Sequence, residues 1–223
     1  MGTLMRHTAS LHVFAYWNRL RAGRLAPDRH EIAPSELKSH LPHVFMATRP
    51  QDDAPLAFRL AGTAICGMMG RELRGSRVHA LWSPDEHEAI DGALEGVLKT
   101  GRVAVLGLYG FSTLGRRAEF EMTAMPLAGE DGIERLFGTL VPLTRPYWLE
   151  IDTLTGFVTT ALDTFAPDED PPSATQVPSA GDTQRVDEVS PRAMAPSPRT
   201  TALSPRAIRR RRFGLIRGGR QDG

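Results

Sequence analysis

Apolar residues follow two different rhythms along this chain, and the changes of rhythm mark out its elements. Val13, Tyr16, Trp17 and Leu20 recur at i, i+3, i+4 and i+7 and predict an amphipathic helix over about residues 8–22. Gly23 follows it as a stop signal. A polar link containing Pro leads to a short helical turn near Pro34–His40. Two strands are expected at His43–Arg49 and Leu56–Gly62, separated by the turn-forming run Pro50-Gln51-Asp52-Asp53-Ala54-Pro55. Thr63 is placed to cap a short helix and Gly70 to end it.

The best-marked helix covers about residues 84–100. Ser83 and Glu86 have capping-box spacing, Pro84 takes the first position, and Ile90, Leu94, Val97 and Leu98 form the buried stripe before Gly101. Three strands follow at Val103–Tyr109, Ala118–Pro126 and Arg135–Leu143. In the middle one Phe120, Met122 and Ala124 alternate with Glu119, Glu121 and Thr123, which reads as one buried and one solvated face. Short Gly-containing links make these three an antiparallel meander. From Ile151 the periodicity fades, and Thr153–Leu162 is expected to add at most one short helix. Eight prolines between Pro167 and Pro205, with few apolar neighbours, then predict a disordered C-terminal tail.

Composition sharpens that division. Twelve of the fifteen Phe, Trp and Tyr residues lie within residues 1–150, so this part can build its own core. It carries 17 basic and 17 acidic side chains, a neutral balance that argues against a nucleic-acid-binding domain. The remainder has 10 Arg, no Lys and 9 acids, sorted into an acidic stretch at Asp163–Glu188 and a basic end at residues 206–220. Such blocks mark solvated or interacting tails. Cys66 is the only cysteine, which rules out an intrachain disulfide and a Cys-based metal site. No apolar run approaches the roughly 20 residues needed to span a bilayer, and Leu11–Trp17 is a poor signal peptide, so a cytoplasmic protein is expected.

The element order helix, β-β, short helices, long helix, β-β-β is that of a PAS domain. The chain resembles the PAS-like family of short alphaproteobacterial proteins formerly catalogued as a domain of unknown function. The matching segments are Tyr16-Trp17-x-x-Leu20-Arg21-x-Gly23-Arg24, Phe58-Arg59-Leu60-Ala61-Gly62-Thr63, Gly70-Arg71-Glu72-Leu73-x-Gly75, Leu81-Trp82, Pro126-Leu127, Pro142-Leu143 and Pro146-x-Trp148. The resemblance covers almost all of residues 11–150. It implies an α+β fold with a five-stranded antiparallel sheet covered by helices on one face. On that basis residues 1–40 are an N-terminal helix and linker packing on the core, residues 41–150 the PAS domain, and residues 151–223 a mostly disordered tail. It also implies a stand-alone sensory or regulatory role in signal transduction.

The candidate chemistry is that of binding. Walls of a ligand pocket between sheet and helices are Phe58, Leu60, Ile65, Met68, Met69, Ile90, Leu94, Leu106, Phe120, Met122 and Phe137, and the same residues would serve simply to fill a core. Arg71 and Arg74 either tie down the Gly70–Gly75 loop or face a ligand or partner. The Val13, Tyr16, Trp17 and Leu20 stripe either pairs two copies as a homodimer or covers its own sheet. Arg209, Arg210, Arg211 and Arg212 beside Phe213 are candidates for contact with nucleic acid, anionic membrane or an acidic partner, against the plainer reading of a solubilising tail. That contact defines the alternative function, an adaptor that binds no ligand.

Flavin chemistry is not expected, because the Gly-Arg-Asn-Cys motif of light-sensing PAS domains is absent and Cys66 sits in an apolar Ala-Ile-Cys-Gly setting. Haem is not expected either, since its one candidate ligand, His87, falls in the first turn of its helix. His40 and His43 flank Pro42 without a nearby third ligand and do not make a metal site. With no nucleophile elbow, phosphate-binding loop or zinc-protease helix, the protein is not expected to be an enzyme.

Overall fold

The computed structural model describes residues 5–50, 54–129, 132–149 and 151–169. Strands β1 (Val44–Thr48) and β2 (Ala57–Ala61) lead through helix α2 (Thr63–Met69) and 3-10 turns to helix α3 (His87–Thr100). Strands β3 (Val103–Ser112), β4 (Arg117–Gly129) and β5 (Gly132–Pro142) then form the expected meander. Helix α1 (Thr8–Arg21) precedes them all, and a further strand β6 (Leu154–Phe165) ends the described chain. All pairings are antiparallel, in the order β2-β1-β5-β4-β3-β6.

The sheet therefore has six strands where five were expected, and the folded unit runs past residue 150 into what was assigned to the tail. β6 replaces the short helix expected at Thr153–Leu162. It pairs with β3 along its length, but register shifts at Gly107/Leu108 and Phe111/Ser112 disturb its alternation. Only Leu154, Phe157 and Phe165 reach the core, while Val158 and Leu162 stay exposed, so no period-2 signal survives in the sequence.

Helices cover both faces of the sheet, not one. On the first face α2 and α3 bury Ile65, Met68, Ile90 and Leu94 against Leu106, Phe120 and Met122. On the second, α1 lays Val13, Phe14 and Trp17 over Val105, Met125, Leu127 and Phe137. The α1 stripe thus covers its own sheet; Val13, Tyr16 and Trp17 are buried and not available to pair two copies. Trp17 Nε1 donates to the Pro126 carbonyl at 2.8 Å. Pro126 lies beyond Ala124, where pairing with β3 ends, so its missing N–H costs no ladder bond on that side.

The second face of β4 is consequently not solvated. Glu121 is 1% exposed, and its carboxylate accepts the Arg6 amide at 2.6 Å and the His7 amide at 3.3 Å just ahead of α1. A carboxylate at a helix N-terminus meets both unpaired N–H groups and the positive end of the dipole. Beside it, Ser10 Oγ, Thr139 Oγ1 and Thr123 Oγ1 form a buried hydroxyl chain with links of 3.0 and 2.8 Å. The capping box expected for the long helix does not form: Ser83 makes no side-chain cap, Pro84–Glu86 is a 3-10 turn, and Glu86 Oε1 takes the Thr159 amide at 3.0 Å instead. The C-terminal stops at Gly70 (φ 63°) and Gly101 (φ 71°) do form.

Trp17→Ala is expected to lower unfolding free energy by about 3–5 kcal/mol in urea titrations, combining a large cavity with the lost Pro126 hydrogen bond. Gly138→Ala should be more damaging still, because the added Cβ would run into the Thr123 carbonyl oxygen and the Phe45 ring.

Candidate functional site

The candidate pocket residues do not gather around one void. Phe58, Ile65, Met68, Met69, Ile90, Leu94, Leu106, Phe120 and Met122 belong to one buried cluster. Ile65, Leu94 and Leu106 are fully inaccessible to solvent, so no water-sized space lies against them. Phe137 points the other way, into the cluster under α1, because neighbouring residues in a strand face opposite sides. Leu60 is 48% exposed on the same side as Phe137, next to Met46, its cross-strand partner.

Met68 borders a cavity of about 180 Å³ at the rim of the first face. Ala64, Gly67 and Met68 of α2 form one wall, Pro142 and Leu149 the other, and His43 and Arg145 are its polar groups. A Cβ added at Gly67 would meet nothing within 4 Å, so α2 leaves open space there. Arg145 Nη2 lies 3.2 Å from His43 Nε2. A guanidinium only donates, which makes Nε2 the acceptor and puts the ring proton on Nδ1. That Nδ1 is buried and makes no hydrogen bond of ordinary geometry. Burial and then Arg145 lower the His43 pKa, with a smaller opposing effect of the Leu140 carbonyl.

Two more histidines with lowered pKa stand nearby. His7 caps α1, its Nδ1 accepting the Ala9 amide at 3.1 Å, and desolvation lowers its pKa although Glu121 opposes this. His40 Nε2 lies 3.2 Å from His12 Nδ1, a contact that accommodates one proton and not two. Burial, then His12, lowers the His40 pKa. His40 thus pairs with His12 rather than with His43, and among the described residues no group of three or more His, Cys, Asp or Glu is placed to hold a metal.

Elsewhere, His87 stacks on His79 with centroids 4.2 Å apart and sets its Nε2 3.1 Å from the Trp82 carbonyl. It turns back toward the preceding loop, away from the core stripe. His79 Nδ1 in turn meets Asp91 Oδ2 at 2.7 Å. Burial raises the Cys66 thiol pKa, which disfavours the reactive thiolate. Arg71 Nη1 reaches Ser76 Oγ at 3.4 Å and holds its own loop, whereas Arg74 lines a separate cavity with Leu60. Arg209–Arg212 lie outside the described residues. The His43–Arg145 contact was not legible in the sequence, because the two positions are 102 residues apart.

The histidine geometry sets a pH dependence. The folded pKa values of His7, His40 and His43 lie below the ordinary imidazole value of about 6.5, so the unfolded chain takes up protons first as pH falls. Stability should hold above about pH 6.5 and fall below it until the folded groups also titrate. Urea midpoints measured between about pH 7 and 5 should show this slope, and His7→Gln combined with His40→Gln should flatten it.

None of the curated proteins is significantly similar to this chain in sequence. Among solved structures, the blue-light photoreceptor Aureochrome1 LOV in its light state is 15% identical, covering 52% of this chain and 92% of its own, with a TM-score of 0.37. The Rhodobacter sphaeroides LOV protein is 19% identical over 46% of this chain and 60% of its own, at TM-score 0.37. VqmA bound to DPO is 15% identical over 49% and 56%, at TM-score 0.38. No helix among the described residues is long and apolar enough to cross a membrane. The PAS domain model matches residues 5–141, from just before α1 almost to the end of β5, and with that much of its length accounted for this chain belongs to the PAS domain family.

Proposed function

We propose that this PAS domain is a regulatory receptor that holds a small ligand in the cavity beside α2 and signals by binding, without catalysis. The observation that carries this reading is an otherwise apolar cavity at whose wall the Arg145 guanidinium, 3.2 Å from His43 Nε2, supplies hydrogen-bond donors. Apolar walls with a few convergent polar groups are the usual form of a ligand site. Arg145 on one side and Met68 and Leu149 on the other favour a compact apolar molecule bearing a carboxylate or carbonyl. At about 180 Å³ the cavity is smaller than those of drug-sized ligands, which span about 300–1,000 Å³.

Occupancy would act on elements that continue elsewhere. Residues 145–149 lead directly to β6, and α2 touches the start of that strand, where a Cβ on Gly70 would meet Thr153. A ligand pressing α2 and Leu149 apart would load β6, the strand from which the chain continues toward its C-terminus. Neither flavin nor haem belongs to this reading. Tight packing around Ile65, Leu94 and Leu106 supports that, as does the engaged Nε2 of His87.

Gly67→Phe should fill the cavity without removing any packing group, and Arg145→Gln should remove one donor. Native mass spectrometry of full-length protein from its own host is expected to show a bound small molecule in the unaltered chain. Both variants should lose it while keeping their melting temperature. A bound mass that survives Gly67→Phe would place the ligand elsewhere, and a clean apo mass in the unaltered chain would count against the receptor reading.

A further inference from the structure

A second cavity, of about 660 Å³, lies at the β1–β2 edge of the sheet, on the face that carries α1. Its lining brings together Arg29 and His30 from the 3-10 turn after α1, Arg49 and Arg135 from the ends of paired strands, Arg59 from β2 and Arg74 from the turn after α2. Among the described residues that line it, none is acidic. Residues 1–150 carry equal numbers of basic and acidic side chains, so five guanidinium groups around one cavity are a local arrangement that overall composition does not explain.

The five are not equivalent. Arg49 is held by Glu95 and by the Ala54 carbonyl, and Arg135 meets Glu134 at 2.9 Å. Arg29, Arg59 and Arg74 make no ion pair among the described residues. Like charges gathered this way repel one another, and a multiply charged anion would relieve that repulsion. Planar guanidinium forks match phosphate oxygens in pairs. The floor between them is apolar: Met46 and Leu60 are cross-strand partners, and Leu60 stands 48% exposed where α1, which packs over β4 and β5, leaves the sheet uncovered.

We propose that this cavity binds a small phosphorylated ligand of the nucleotide class. Its polyphosphate would lie among Arg29, Arg59 and Arg74, and its base would rest on Met46 and Leu60. The volume falls within the range of about 300–1,000 Å³ typical of such ligands. The site is separate from the α2 cavity, shares none of its lining residues, and stands whether or not that cavity is occupied.

The test is calorimetric titration of full-length protein with ATP, with inorganic tripolyphosphate and with a short DNA duplex. Because the basic segment Arg209–Arg212 attracts any polyanion, the decisive comparison is between R59Q/R74Q and a variant with Arg209–Arg212 changed to Gln. All substituted positions in the first pair are exposed, so folding should be preserved, and an unchanged melting temperature verifies it. R59Q/R74Q is expected to weaken ATP and tripolyphosphate binding by more than about tenfold, as the loss of charge-assisted contacts requires. The basic-segment variant should retain both. L60S should weaken ATP but leave tripolyphosphate unchanged. ATP binding that vanishes with the basic segment and survives R59Q/R74Q would overturn the proposal. So would duplex DNA binding that outcompetes ATP and is lost in R59Q/R74Q, or an L60S variant that treats the two phosphates alike.

Discussion

Burial of β4 on both faces is the constraint from which the rest of the structure follows. From Phe120 to Leu127 every residue of this strand is withdrawn from water, with Phe120, Met122 and Ala124 on one side and Thr123, Met125 and Leu127 on the other. A sheet so built cannot leave one face to solvent, and it must be covered twice. Helices α2 and α3 supply the first cover. Helix α1 supplies the second, and its Trp17 is spent on that task.

Covering the second face carries polar groups indoors, and each has to be answered. Glu121 would be costly to bury alone, but it meets the amides that precede α1 and that would otherwise lack partners. The Ser10, Thr139 and Thr123 hydroxyls satisfy one another. These directional contacts define where α1 sits, which apolar contact by itself would not do so narrowly. At the other end of the helix, the buried Arg21 reaches Asp168 and ties α1 to the segment just after β6. Two of the gaps among the described residues lie where these covers end. One gap is at the rim beside α2, and the other is at the uncovered β1–β2 edge.

Much of this was legible in the sequence, for identifiable reasons. The α1 stripe, the α3 stripe with its Gly101 stop and the three-strand meander all rest on local periodicity, and all appear close to their expected bounds. What failed had a cause in long-range contact. β6 has too weak an alternation to be recognised, since its bulged register and its edge position relax the demand for apolar residues on one face. Glu86 has the spacing of a helix cap, yet the Thr159 amide, 73 residues away, claims its carboxylate. Glu121 alternates like a solvent-facing residue, and nothing near it in sequence shows that α1 will close over it.

The sequence by itself determined that this chain makes a PAS-type domain, because turns, caps and stripes are local signals that fix element order. It also determined that the domain has no net charge of its own and a single cysteine. Tertiary structure alone decided what those residues face. It placed Phe137 and Leu60 outside the interior they were expected to line, brought His43 to Arg145, and collected five arginines from five separate stretches of chain around one cavity. Which side chains share a space depends on pairing register and on how the helices close over the sheet. Those are sums over many distant contacts, and no short window of sequence contains them.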